Sequence, residues 1–155
     1  MLFNNELSIN CPDGFHIMDE EEKKKFAKLG EANVLCFSNP EKHMVFVVGA
    51  KQLNAFVRLV LNPADIAKNM YKCIVRGNKP YGIKAGKPEK TIIAGTEAEG
   101  FDYSYTVQDI GMSASSYSLL KGKNAYYIHK YVRSAYEAEG REIWNRFVSE
   151  LAFKD

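Results

Sequence analysis

At 155 residues the chain fits one domain, able to bury roughly 70% of the surface its unfolded form exposes. Its hydrophobic content of 46% and charged content of 26% are ordinary for a soluble globular protein. A formal charge of +2 is too small to imply nucleic acid or a membrane as partner, and no stretch approaches the ~18 apolar residues of a membrane span.

The opening MLFNNELSINCPDG has no basic region followed by an apolar run, so no signal peptide is visible. Cys11, Cys36 and Cys73 are odd in number and never spaced as C-x-x-C, which reads as reduced thiols in a cytoplasmic setting. Leu7 and Ile9 alternate with polar neighbours, Cys11-Pro12-Asp13-Gly14 is a turn signal, and Phe15 and Ile17 resume the alternation. This predicts an opening hairpin. Asp19 caps a short helix through Leu29, with Glu20, Glu21 and Glu22 in its first turn, and Gly30 ends it.

Residues 34–37 and 44–48 read as two strands joined by an Asn39-Pro40 turn. Leu53, Phe56, Val57, Val60 and Leu61 fit helical spacing, but Leu59 makes the segment apolar on more than one face, so its type stays open. Asn62-Pro63 is a helix start, followed by a face of Ile66, Met70, Cys73, Ile74 and Gly77. From Pro80 to Val132 runs a series of strands punctuated by glycines, with Lys121-Gly122-Lys123-Asn124 the tightest hairpin turn. Phe101, Tyr103, Tyr105 and Val107 share one parity, and Tyr127, His129 and Tyr131 share another, the spacing of long part-buried antiparallel strands. Around residues 126–132 both parities are large, which predicts a strand covered on both sides. A last helix carries Ile143, Trp144, Phe147, Val148 and Leu151. The order predicts an α+β fold, a three-layer α/β/α sandwich around a predominantly antiparallel central sheet, as a single domain over residues 1–155.

The blocks LVLNPADIAKNMYKCI, AEGFDYSYTVQ, SYSLLKGKNAYYIHKYVRSA and IWNRFVSELAFKD resemble a group of uncharacterised short bacterial proteins. That group is similar to the PsbP-like fold, an α/β/α sandwich shared by a photosystem extrinsic subunit and a Ran-binding nuclear-import factor. The opening NELSINCPDGF and the closing helix-then-strand fit the same pattern, so the resemblance spans nearly the whole chain. It implies a binding or assembly protein. It supplies no catalytic motif to carry over, and neither relative's partner transfers.

The chemistry-bearing residues point the same way. His16, His43 and His129 lack metal-ligand spacing, so no metal site and no cofactor are expected. Gly82-Ile83-Lys84-Ala85-Gly86-Lys87 falls one residue short of a phosphate loop, with Pro88 where Ser or Thr should stand. Gly111-Met112-Ser113-Ala114-Ser115 lacks the last glycine of a hydrolase elbow. Cys36 and Cys73 read as small buried hydrophobes, and Glu97, Glu99 and Asp102 as a solvated strand edge.

Two features carry functional weight. Tyr103, Tyr105, Tyr117, Tyr127, His129, Tyr131 and Arg133 form a polar-tipped aromatic set on adjacent strands, explicable as cross-strand packing or as a small-ligand pocket. Phe56, Leu59 and Val60 lie on an apolar segment that either the fold or a second copy must cover. A weaker signal is the basic series Lys68, Lys72, Arg76, Lys79, Lys84, Lys87 and Lys90, which admits an anionic partner. The sequence therefore predicts a non-enzymatic binding or assembly module whose partner is another protein or a second copy. A small-ligand binder using Tyr103, Tyr105, Tyr127, His129, Tyr131 and Arg133 is the alternative, and an enzyme stands third. Neither a membrane nor nucleic acid is expected as partner.

Overall fold

The computed structural model describes residues 1–25 and 33–155. The first part holds β1 (Leu2–Phe3), β2 (Leu7–Ser8), β3 (His16–Ile17), α1 (Glu20–Lys24), β4 (Asn33–Asn39), β5 (Met44–Gln52), α2 (Ala55–Val60) and α3 (Pro63–Gly77). It continues through β6 (Lys84–Ala85), β7 (Glu89–Ile93), β8 (Thr96–Val107), β9 (Ile110–Lys121), β10 (Asn124–Arg133), α4 (Glu137–Ser149) and β11 (Ala152–Phe153). An eight-stranded antiparallel sheet runs β3-β4-β5-β10-β9-β8, with β6 and β7 both paired to the far side of β8. A second sheet of three short strands is ordered β1-β2-β11.

Alternation along β10 sends Tyr126, Ile128, Lys130 and Val132 to one face, and all four are buried. That face packs Phe37, Phe46, Val48 and Leu119 against Trp144, Phe147 and Leu151, and against Phe3, Leu7 and Ile9 of the N-terminal segment. The opposite face meets α3, where Met70, half-buried Tyr71 and Ile74 lie against Phe101, Tyr103 and Ala114. The layers are therefore α4 with the small sheet, the large sheet, and α3. This is the α/β/α arrangement expected from a central strand with large residues on both parities.

Local chemistry explains the helix starts. The Asp19 side chain accepts from the Glu22 amide at 2.8 Å and the Glu22 carboxylate returns to the Asp19 amide, a reciprocal cap. Asn62 and Asp65 make the same exchange, with Pro63 in the first turn where a missing N–H costs nothing. The predicted stretch of the first helix from Phe26 to Gly30 lies outside the described residues.

Two expectations are corrected. The turn at Pro12 forms, with Phe15 N–H donating to the Pro12 carbonyl and Gly14 at φ 80°, but its arms do not pair. β2 joins β11 in the small sheet while β3 joins β4 in the large one. The segment is thus a crossover between sheets, because its two short strands find longer-range partners. Cys73 is exposed rather than buried, since it falls at the border of the apolar stripe that Ile66, Ala67 and Met70 define.

Candidate functional site

The register brings Tyr103 and Tyr105 of β8 and Tyr127, His129, Tyr131 and Arg133 of β10 to one face of the large sheet, the α3 face. β9 lies between them and contributes Ser116, which stands opposite both Phe101 and His129. Ser116 is fully buried and links the two outer strands: its Oγ lies 3.0 Å from the Tyr103 hydroxyl and 2.7 Å from His129 Nδ1. Tyr103 stacks on Tyr105 with centroids 6.1 Å apart, and His129 stacks on Tyr131 at 6.0 Å. Tyr71 of α3 meets Phe101 edge-on at 5.0 Å, which closes this end of the face. Sequence spacing gives no signal for Ser116, whose role comes from the pairing register alone.

Burial dominates the electrostatics here. It raises the Tyr103 hydroxyl, pushes Tyr105 up to about 12 and holds Tyr131 well above the ordinary tyrosine value. It also pushes His129 down to about 4, so the imidazole is neutral at physiological pH. The folded value lies below the unfolded one, so the unfolded chain takes up a proton near pH 6.5 that the folded chain refuses until about pH 4. Stability is therefore full above pH 6.5 and falls as pH drops through that window, by roughly 2–3 kcal/mol at this site. Urea midpoints at pH 7.5 and pH 4.5 are expected to differ more for the native chain than for His129→Gln. Equal differences in the two proteins would refute this assignment.

Tyr117 does not join the set. It stands opposite Gly100 and Ile128 on the α4 face, stacked on Trp144 with centroids 6.5 Å apart. The carboxylates also separate: Glu97 lies 3.7 Å from Lys90, whereas Asp102 turns to the α4 face. There Asp102 accepts from Ser115 Oγ at 2.5 Å and lies 3.4 Å from Arg141. Arg141 reaches Glu137 at 2.9 Å, and Glu137 pairs with the fully buried Lys130 at 3.1 Å. Sequence spacing gives no signal for this chain of charges, although Lys130 shares the inward parity of Tyr126, Ile128 and Val132. Among the described residues no cluster of three or more His, Cys, Asp or Glu could hold a metal ion.

The apolar segment resolves into α2, capped by Asn54, whose side chain accepts from the Val57 amide at 2.8 Å. The helix ends where Leu61 turns extended ahead of the Asn62 cap. None of its residues is buried. Phe56 is 73% exposed, Leu59 85% and Val60 60%. Positions 56, 59 and 60 are spaced i, i+3 and i+4, so they form one stripe on the helix. Beyond α2, Lys68, Lys72 and Arg76 are exposed at i, i+4 and i+8 on α3, opposite Ile66, Ala67 and Met70.

No protein-family model matches the sequence, and no curated protein matches it either. Solved structures do. The chain is similar to LpqN, involved in cell envelope biogenesis of Mycobacterium tuberculosis, with a TM-score of 0.68, 9% identity and coverage of 96% of this chain and 83% of that one. It is similar to the cyanobacterial PsbP of Synechocystis sp. PCC 6803, with a TM-score of 0.65, 11% identity and coverage of 96% and 86%. A protein of unknown function from Pseudomonas aeruginosa aligns with a TM-score of 0.55, 14% identity and coverage of 96% and 84%. At these identities the likeness establishes the fold alone, and the chain has a PsbP-like α+β sandwich fold. No helix among the described residues is long and apolar enough to cross a membrane.

Proposed function

We propose that the protein is a non-enzymatic assembly module that associates with a second copy of itself through α2. The observation that carries this reading is the exposed stripe of Phe56, Leu59 and Val60 on a helix with no buried residue. Large apolar side chains grouped on one exposed element mark interaction surfaces. The stripe itself bears no charge and is apolar throughout, so it is self-complementary, as a two-fold interface requires. Burying three such side chains from each copy is worth about 1.5–3 kcal/mol apiece, against an association cost of roughly 4–15 kcal/mol. The balance gives a reversible dimer rather than an obligate one.

The variant Phe56→Ser with Leu59→Ser tests it. Both positions are exposed, so the variant is expected to keep the native far-UV spectrum and melting temperature while losing association in sedimentation velocity. Unchanged association would remove α2 as the interface. A cytoplasmic setting accords with this reading, since Cys11, Cys36 and Cys73 are all free thiols. The small-ligand reading stands second and rests on Tyr103, Tyr105, Tyr127, His129, Tyr131 and Arg133 sharing one face. It is weaker because Tyr103, Ser116 and His129 spend hydrogen-bonding capacity on one another.

A further inference from the structure

β7 is an outermost strand of the large sheet, paired on one side only, with β8. The β7–β8 hairpin closes through a two-residue turn, Ala94 at φ 52° and Gly95 at φ 72°, flanked by the pair Ile93 and Thr96. In a two-residue hairpin the flanking pair is hydrogen-bonded, and bonded pairs then alternate along the ladder. Ile93, Thr91 and Glu89 therefore turn their main-chain groups toward β8, while Ile92 and Lys90 turn N–H and C=O outward. Among the described residues no main-chain partner meets that outer row. Lys87 and Pro88 precede the strand and Lys90 stands near its start, the residue types that blunt an edge against pairing. Past Lys90 this protection stops, and Ile92 is 66% exposed.

A cleft of about 620 Å³ lies beside this unprotected stretch. One wall is the chain from Thr91 to Gly95, and the other is the end of α4 with Ala152 and Phe153 of β11. Tyr117 and Trp144 line it with their rings inclined by only 27°, and Val148 lies beside them. Asn145 and Ser149 are exposed on the rim.

We propose that the β7 edge and this cleft together receive an extended segment of a partner protein. Residues 90–92 supply the main-chain ladder, and the cleft takes an apolar side chain from every second position of the segment. Two observations select this occupant. Outward N–H and C=O groups at two-residue spacing fit an extended polypeptide backbone, the mode of strand addition, and alternate side chains then fall on the same face. A second copy fits poorly in the antiparallel pairing that a two-fold axis normal to the sheet gives, because it keeps both α4–β11 walls on the same side of the joined sheet, over the same junction. A segment standing clear of its own fold brings no such wall. This surface is separate from α2 and does not depend on the reading given for it.

The chain's single tryptophan, Trp144, lines the cleft and serves as the reporter. The probe is an array of end-capped synthetic heptapeptides alternating Val, Ile or Phe with Thr, Ser or Lys, titrated into the full chain. A subset is expected to shift Trp144 emission saturably. Ile92→Pro removes one outward N–H and leaves the β7–β8 bonds in place, and it is expected to weaken that binding tenfold or more. Ser149→Phe narrows the cleft from an exposed position, and its binding is expected to fall likewise. Phe56→Ser with Leu59→Ser is expected to bind peptide as the native chain does, which separates this result from the fate of the α2 interface. The proposal is overturned if no peptide shifts the emission, or if Ile92→Pro and Ser149→Phe both bind undiminished. It is also overturned if Ile92→Pro abolishes self-association instead, which would make the edge a contact between copies.

Discussion

Replacing Gly100 with alanine is expected to destabilise the fold by about 3 kcal/mol or more, read as a shift in the urea unfolding midpoint. Gly100 sits in the middle of β8, opposite Tyr117 of β9. A Cβ there would overlap Cδ1 and Cγ of the Tyr117 ring and the main-chain carbonyl oxygen of Ser116. The ring is held by its stacking on Trp144, and the carbonyl belongs to the sheet itself, so neither can retreat cheaply. Gly95→Ala is the control. Its added methyl meets nothing within 4 Å and costs only the strain of φ 72°, on the order of 1 kcal/mol. Equal losses at the two positions would mean that Tyr117 does not close over Gly100.

The second large effect is at the buried ion pair. Lys130 is 0% exposed on the α4 face of β10, and its ammonium lies 3.1 and 3.3 Å from the two carboxylate oxygens of Glu137. Glu137 begins α4, where the helix dipole also favours a negative charge. Burial lowers the Lys130 pKa, with the nearby Arg141 acting in the same direction, and Glu137 opposes both. Glu137→Ala leaves the ammonium buried without its counter-charge and is expected to cost about 3–5 kcal/mol. Lys130→Met removes the charge and keeps the volume, so it is expected to lie within about 1 kcal/mol of the native chain, on either side. Adding Lys130→Met to Glu137→Ala should then recover most of the loss in a thermal melt. A double variant no more stable than Glu137→Ala would show that Glu137 acts through Arg141 and not through Lys130.

The residues that resisted sequence reading share a cause. Alternation in β10 announced its two covered faces, and Asn62-Pro63 announced α3, because each signal is local. Polar tips on adjacent strands group Tyr117 with Tyr103 and Tyr127. Yet two-residue turns at positions 108–109 and 122–123 make every facing pair an odd-numbered residue and an even-numbered one. Odd positions on β8 and β10 therefore share a face with even positions on β9. That face holds Ser116, and Tyr117 goes to the other side. The turn lengths carried this information, but only once the register was fixed. The opening segment differs in kind: Leu7 and His16 each sit on a two-residue strand and pair with Phe153 and Ser38, 146 and 22 positions away, and alternation cannot say which sheet a strand joins. Lys130 was legible by parity, whereas its partner Glu137 lies on the next element, seven residues on.

Sedimentation equilibrium of the unaltered chain, from low micromolar to millimolar concentration, tests the central claim most directly. A monomer–dimer equilibrium that Phe56→Ser with Leu59→Ser abolishes is the expected result. A monomer at every concentration would contradict it, and α2 would then have no claim as the surface through which this protein assembles.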